Sequence, residues 1–236
     1  MRLVRVQLFL PIIRAIGQLD DPVFRGVVFR SLAWAMACFI GLCGGGAWGV
    51  HQLLAFHGWL AWTADVLGSI GVALLAFWLF LPIAAGIGML YCDRIASAVE
   101  RRFYPWLPRA ESASILEQAW DSISVAVKVL ALSIAALIFA FIVPGLGLVL
   151  GWAIASYAIG RGLFVAVAMR RMSRSIAESI YLQYRGIVLA QGGVLALAAY
   201  IPLLNLLIPV VGTAAMVHIL DMALAIEYGS DRFETD

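Results

Sequence analysis

Fifteen arginines stand against a single lysine, Lys128, in this 236-residue chain. A guanidinium stays charged at any physiological pH. Its planar fork of N–H donors meets the oxygens of carboxylates, sulfates and phosphates two at a time. The chemistry such a bias serves is recognition of oxyanions, on lipid headgroups or on a free solute. Interfacial anchoring accounts for most of these residues. Arg25 is placed differently. It follows "DDP", Asp20 to Pro22, and proline suits the first position of a new helix. That puts Arg25 in a first helical turn, where backbone N–H groups lack acceptors and the dipole favours negative charge. A solute oxyanion and a lipid phosphate would both satisfy it there. Arg30, a turn or so later, suits the lipid.

The second place with chemical potential is "IPLLNLLIPVVGTAAM", Ile201 to Met216, an apolar stretch interrupted by Pro202, Asn205, Pro209 and Gly212. The prolines end and restart helix, and Asn205 is expected to cap the new N-terminus. Free N–H groups at that tip would favour an anion. A plain helix–turn–helix hairpin fits the same residues. Enzymatic chemistry finds less support. Ser133, Ser156, Thr213 and His218 have no partner at nucleophile–base spacing. Cys38, Cys43 and Cys92 form no CxxC or zinc pattern, and His51, His57 and His218 are scattered. Neither an enzyme nor a metal or other cofactor is expected.

The elements that must position these residues follow from solvent. The chain is 64% hydrophobic and 13% charged, with a mean hydropathy of +0.98. A soluble core of this size could not hide so much apolar surface, so lipid must be part of the solvent. The net charge of +2 gives no case for a nucleic-acid partner. Residues 1–21 read as a retained amphipathic helix on the membrane surface, since Arg14 interrupts any signal-peptide core. Residues 31–51 and 66–92 are free of Asp, Glu, Lys and Arg, and each is long enough to cross as a helix. The second continues to residue 103 as a cytoplasmic extension, with Asp93, Ser97, Glu100 and Arg101 on one stripe. Arginines precede the first span and follow the second, while Trp59 and Trp62 mark the loop between them. This places the N-terminus and residue 101 in the cytoplasm and His57 outside.

The rest reads as two Pro/Gly-broken hairpins. Residues 112–160 hold an amphipathic start (Ser114, Glu117, Asp121, Ser124, Lys128), an apolar arm, the break "PGLG" and a second arm. Residues 161–220 hold a connecting helix and the hairpin broken at "PLLN"; residues 221–236 form a polar tail. Arms of about 15 residues would reach only about 20–24 Å, short of a full crossing, which points to re-entrant or hemi-penetrating hairpins. Irregular backbone at that depth must be buried in protein or line a watery cavity. Alternatively, Leu148 to Met169 spans fully with Arg161 buried. The fold class is therefore an all-α integral membrane protein.

"YRGIVLAQGGVLALAAYIPLLNLLIPVVGTAAMVHIL", Tyr184 to Leu220, resembles the CysZ sulfate-permease family and its etoposide-induced-protein relatives. The likeness extends to "LDDPVFRGVVFRSLAW", "DRIASAVERRF" and "PGLGLVLGWAIASYAIGRGLFVAVAMRRMSRSIA". It implies a homo-oligomer in the bacterial inner membrane with two long spanning helices and two hemi-penetrating hairpins. It also implies passive uptake of sulfate for cysteine synthesis. The family's anion site, a glycine–leucine–arginine run often followed by a second arginine, falls on Val23, Phe24, Arg25 and Gly26; only Arg25 matches. The resemblance places Glu100, Arg101 and Arg102 at the pore entrance. Arg161, flanking the first hairpin, is grouped with them. A non-transporting scaffold or assembly protein of the same family is the alternative, and ion flux through the pure protein separates the two.

Overall fold

The computed structural model describes residues 10–18, 20–53, 59–105, 114–143 and 145–231, and among these it is helical throughout with no strand. Residues 1–9, the end of the two-proline break after 105, Pro144, His57 and residues 232–236 lie outside the described residues. So do the side chains of Trp59, Trp62 and Pro202.

The chain order is α1 (Leu10–Ile16), α2 (Pro22–Leu53), α3 (Trp59–Met89), α4 (Cys92–Phe103), α5 (Ile115–Ile142), α6 (Leu146–Ala168), α7 (Arg174–Ala198), α8 (Pro202–Asn205) and α9 (Ile208–Asp231). Local chemistry sets several of these bounds. Asp21 caps α2 by accepting from the Val23 N–H at 2.8 Å, with Pro22 at the first helical position. Ser114 caps α5 through the Glu117 N–H. Gly145 makes the α5–α6 turn at φ 88°, a left-handed geometry that favours glycine. Leu90 and Tyr91 close tight turns on Ile87 and Gly88, and these separate α3 from α4.

Helices α2 and α3 pack as one pair, α5 packs on α6, and α6 packs most closely on α7. At that last contact a Cβ on Gly160 would lie 2.8 Å from the Val188 carbonyl oxygen, and one on Gly192 would run into the Ser156 carbonyl and the Gly160 backbone. Small residues let the two backbones touch there. Helix α9 is the centre, touching α1, α3, α4, α6 and α7 and burying Val210, Ala214, Met216 and Ile219. In contrast, α5 buries only Asp121 and Ala136, and its remaining face is the exposed apolar surface expected of a helix in lipid.

Four helical segments among the described residues are long and apolar enough to cross a membrane: Pro22–Gly49, Ile115–Ile142, Leu146–Ala168 and Ile208–Ile226. The helix that carries the span at 31–51 does start at Pro22, as the proline indicates, with Asp21 as its cap. Several sequence readings are corrected. The helix expected over 66–103 is two helices. The hairpin arms hold 23 to 28 residues rather than about 15. The amphipathic start belongs to the same helix as the apolar arm, and Arg161 does not stop α6 because its charge is neutralised in place. Arm length therefore no longer argues for re-entry. Residues 221–231 continue α9 and are not a tail.

Candidate functional site

Most charged side chains gather where the starts of α2, α5 and α7 meet α4 and the end of α6. Glu100 on α4 is buried and accepts from Arg170 Nη1 at 2.8 Å and Arg171 Nη2 at 3.0 Å. Arg170 also donates to Ser97 Oγ at 2.7 Å and pairs with Asp93 at 3.1 Å. Arg102 pairs with Asp21 at 3.7 Å, joining the end of α4 to the cap of α2. Arg161 is 1% exposed. It forks onto Asp121 at 2.9 and 3.1 Å and onto Glu178, while Arg174 reaches Asp121 at 2.9 Å. These pairs tie basic residues on both sides of α5 and α6 to one end of the molecule.

The expected pore group is thereby divided. Glu100 and Arg161 are buried with their charges matched, so neither offers a free donor or acceptor to a solute. Arg102 is a helix tie. Arg101 alone of the four carries no ion pair among the described residues.

Arg101 lines a cleft of about 590 Å³ between the start of α2 and α4, together with Gly26, Arg30, Arg94 and Ser97. Helical register builds it. Val23, Gly26, Val27 and Arg30 follow i, i+3, i+4, i+7 on α2, and Arg94, Ser97 and Arg101 follow i, i+3, i+7 on α4. Arg25 is off that stripe, exposed, and is not on the cleft wall. Of the two residues assigned to an anion site, Gly26 is therefore on the cleft wall, where an added Cβ would meet nothing within 4 Å, and Arg25 is outside it. Arg30, which the sequence assigns to lipid, and Arg94 stand on that wall instead; their helical stripe with Gly26 and Arg101 is the signal that finds them. Arg94 lies over the Tyr91 ring at 5.3 Å. No ion pair ties up Arg30, Arg94 or Arg101 among the described residues, and the one carboxylate on the wall, Asp93, is engaged by Arg170. Three guanidinium groups beside a helix N-terminus make a positive, open concavity suited to a small anion.

The second expected anion place is rearranged. Asn205 is the last residue of the one-turn α8, and α9 begins only at Ile208, with Val211 N–H bonded to the Leu207 carbonyl at 2.8 Å. Two intervening residues move Asn205 out of capping position. Pro209 and Gly212 are packing residues. The Pro209 ring rests on Gly88, and a Cβ on Gly212 would meet Leu163 at 2.6 Å. Behind them, buried His218 bonds Tyr104 Oη at 2.7 Å and Gln18 Nε2 at 2.8 Å, which fastens α1 and the end of α4 to α9.

The family model described as sulfate transporter CysZ/etoposide-induced protein 2.4 matches residues 12–209. The chain belongs to that family. The match holds the whole basic cleft, the Arg161 cluster and the α8 turn of this CysZ-family member, and it ends at Pro209, ahead of Gly212 and His218. No curated protein and no solved structure matches the chain.

Proposed function

We propose that this CysZ-family protein is a passive permease for a small inorganic oxyanion, sulfate foremost. In this reading it sits as a homo-oligomer in the bacterial inner membrane and supplies the cytoplasm for cysteine synthesis. The observation that carries the reading is the cleft of Arg30, Arg94 and Arg101, three guanidinium groups that face one concavity and have no ion pair among the described residues. A divalent tetrahedral anion accepts parallel hydrogen bonds from such forks, whereas chloride cannot. Nothing in this scheme calls for an enzyme's nucleophile or base. Passive flow is the default because the buried acids among the described residues, Glu100 and Asp121, are each paired with arginine and not with one another as a proton relay.

The test is uptake of radiolabelled sulfate by liposomes holding the pure protein, with chloride and phosphate as competitors. Saturable sulfate entry that falls about tenfold or more in Arg30→Ala and Arg101→Ala supports the reading. No entry above empty liposomes, with the protein correctly inserted, would favour the non-transporting scaffold.

A further inference from the structure

The basic cleft has a neighbour. A cavity of about 290 Å³ lies between the end of α3, α6 and the start of α9, walled mostly by Met89, Ala158, Gly162 and Ala166 with Cys92 and Thr213. Arg170 lines it as well. Asp93 lines both the cleft and this cavity. Its bond to Arg170 Nε at 3.1 Å therefore stands where the positive cleft meets a mostly apolar, partly open one.

The two partners are unequal. The Asp93 side chain is 82% exposed, while that of Arg170 is 10% exposed and keeps its other donors on Glu100 and Ser97. An ion pair with one partner so exposed holds by less than about fivefold. Swinging Asp93 into water would cost little, and Arg170 would stay where it is. Its Nε–H would then be left without an acceptor near Ser97 of the cleft wall, whose hydroxyl accepts from Arg170 and still has a hydrogen to donate.

We propose that Arg170 is a second, inner station for the oxyanion, and that Asp93 is the carboxylate the oxyanion displaces to reach it. The proposal rests on the permease reading and adds the route and the selectivity. A sulfate held by Arg94 and Arg101 repels Asp93 and carries the same kind of oxygens that Asp93 offers Arg170. It can replace that carboxylate acceptor for acceptor, and the exchange opens the way from the cleft into the apolar cavity. Chloride has a single charge and no fork of oxygens, so it displaces Asp93 poorly.

Cys92 on the cavity wall is a built-in reporter. In a Cys38→Ser/Cys43→Ser background it is the single thiol. The experiment measures its modification by neutral methyl methanethiosulfonate in proteoliposomes, alongside radiolabelled sulfate flux. Sulfate should speed modification about tenfold, half-maximally at the concentration that half-saturates flux, and chloride at equal ionic strength should not. Asp93→Asn should react rapidly without sulfate and show no further response. A charge beside a thiol alters its ionisation, so the lost response, not the absolute rate, is decisive. Sulfate flux with a Cys92 rate indifferent to sulfate, or an Asp93→Asn protein that still responds, overturns the inner station and leaves the permease standing. Absent flux overturns the permease, and the Cys92 response to sulfate then decides the station by itself.

Discussion

Replacing Arg161 by methionine separates a structural charge from a transport charge. Arg161 donates from all three of its nitrogens, to Asp121 at 2.9 and 3.1 Å and to both oxygens of Glu178. The two acids differ in exposure: the Glu178 side chain is 34% exposed and can turn to water, whereas that of Asp121 is 10% exposed and cannot. The cost therefore falls on Asp121, left with Arg174 alone. Breaking a buried pair from one side costs about 3–5 kcal/mol, and the surviving Arg174 contact sets the lower end, about 3 kcal/mol. For a chain of this size that lowers the melting temperature by roughly 6–12 °C. The double change Asp121→Leu with Arg161→Met removes both charges and leaves Arg174 and Glu178 to pair at i, i+4 on α7. It should melt within about 3 °C of wild type. Thermal unfolding in detergent, followed by intrinsic fluorescence, reads all three proteins, and sulfate flux per folded molecule should be unchanged in the double variant. A single variant as stable as wild type, or a double variant as weak as the single, would refute the reasoning.

Four further outcomes are expected. Sulfate titration of pure protein should show about a tenfold loss for Arg30→Ala or Arg101→Ala and less than twofold for Arg25→Ala, since Arg25 lies off the cleft wall; a larger loss at Arg25 would restore the sequence assignment. Gly192→Ala should destabilise by about 1–3 kcal/mol, against the usual gain from replacing a helical glycine, because its Cβ meets the Ser156 carbonyl and Gly160 backbone; Gly26→Ala, with open space, should show that gain and melt at or slightly above wild type. The Tyr104 hydroxyl is pushed up to about 12 from 10.0, first by burial and then by the charge of Asp221. The folded state thus favours the neutral phenol, and this stability is full below pH 10 and fades as the pH rises through about 12; the phenolate absorbance difference between wild type and Tyr104→Phe should titrate there, and titration near 10 would count against the buried contact. Finally, single cysteines at positions 101 and 174 should label only from the cytoplasmic side in intact cells; labelling of 101 from outside would sink the single orientation.

The sequence by itself determined the solvent and the class of structure. Long runs free of Asp, Glu, Lys and Arg dictate helices in lipid whatever their neighbours, and Asp21–Pro22, Ser114 and Gly145 mark helix ends through contacts within a turn of chain. The family, too, was legible, because its motifs lie in continuous stretches such as "PGLG" and "PLLN". Only the tertiary structure decided which charges are free. Arg161 and Arg101 look alike in sequence, each a basic residue near an apolar segment. One is silenced by Asp121, 40 residues away, and the other is left open because Glu100 turns instead to Arg170, 70 residues on. Coulomb interactions depend on distance in space and on local burial, and neither quantity is written in local sequence. The same holds for Arg25 against Arg30: both sit on α2, but the direction from which α4 packs selects the Gly26–Arg30 stripe as the cleft wall.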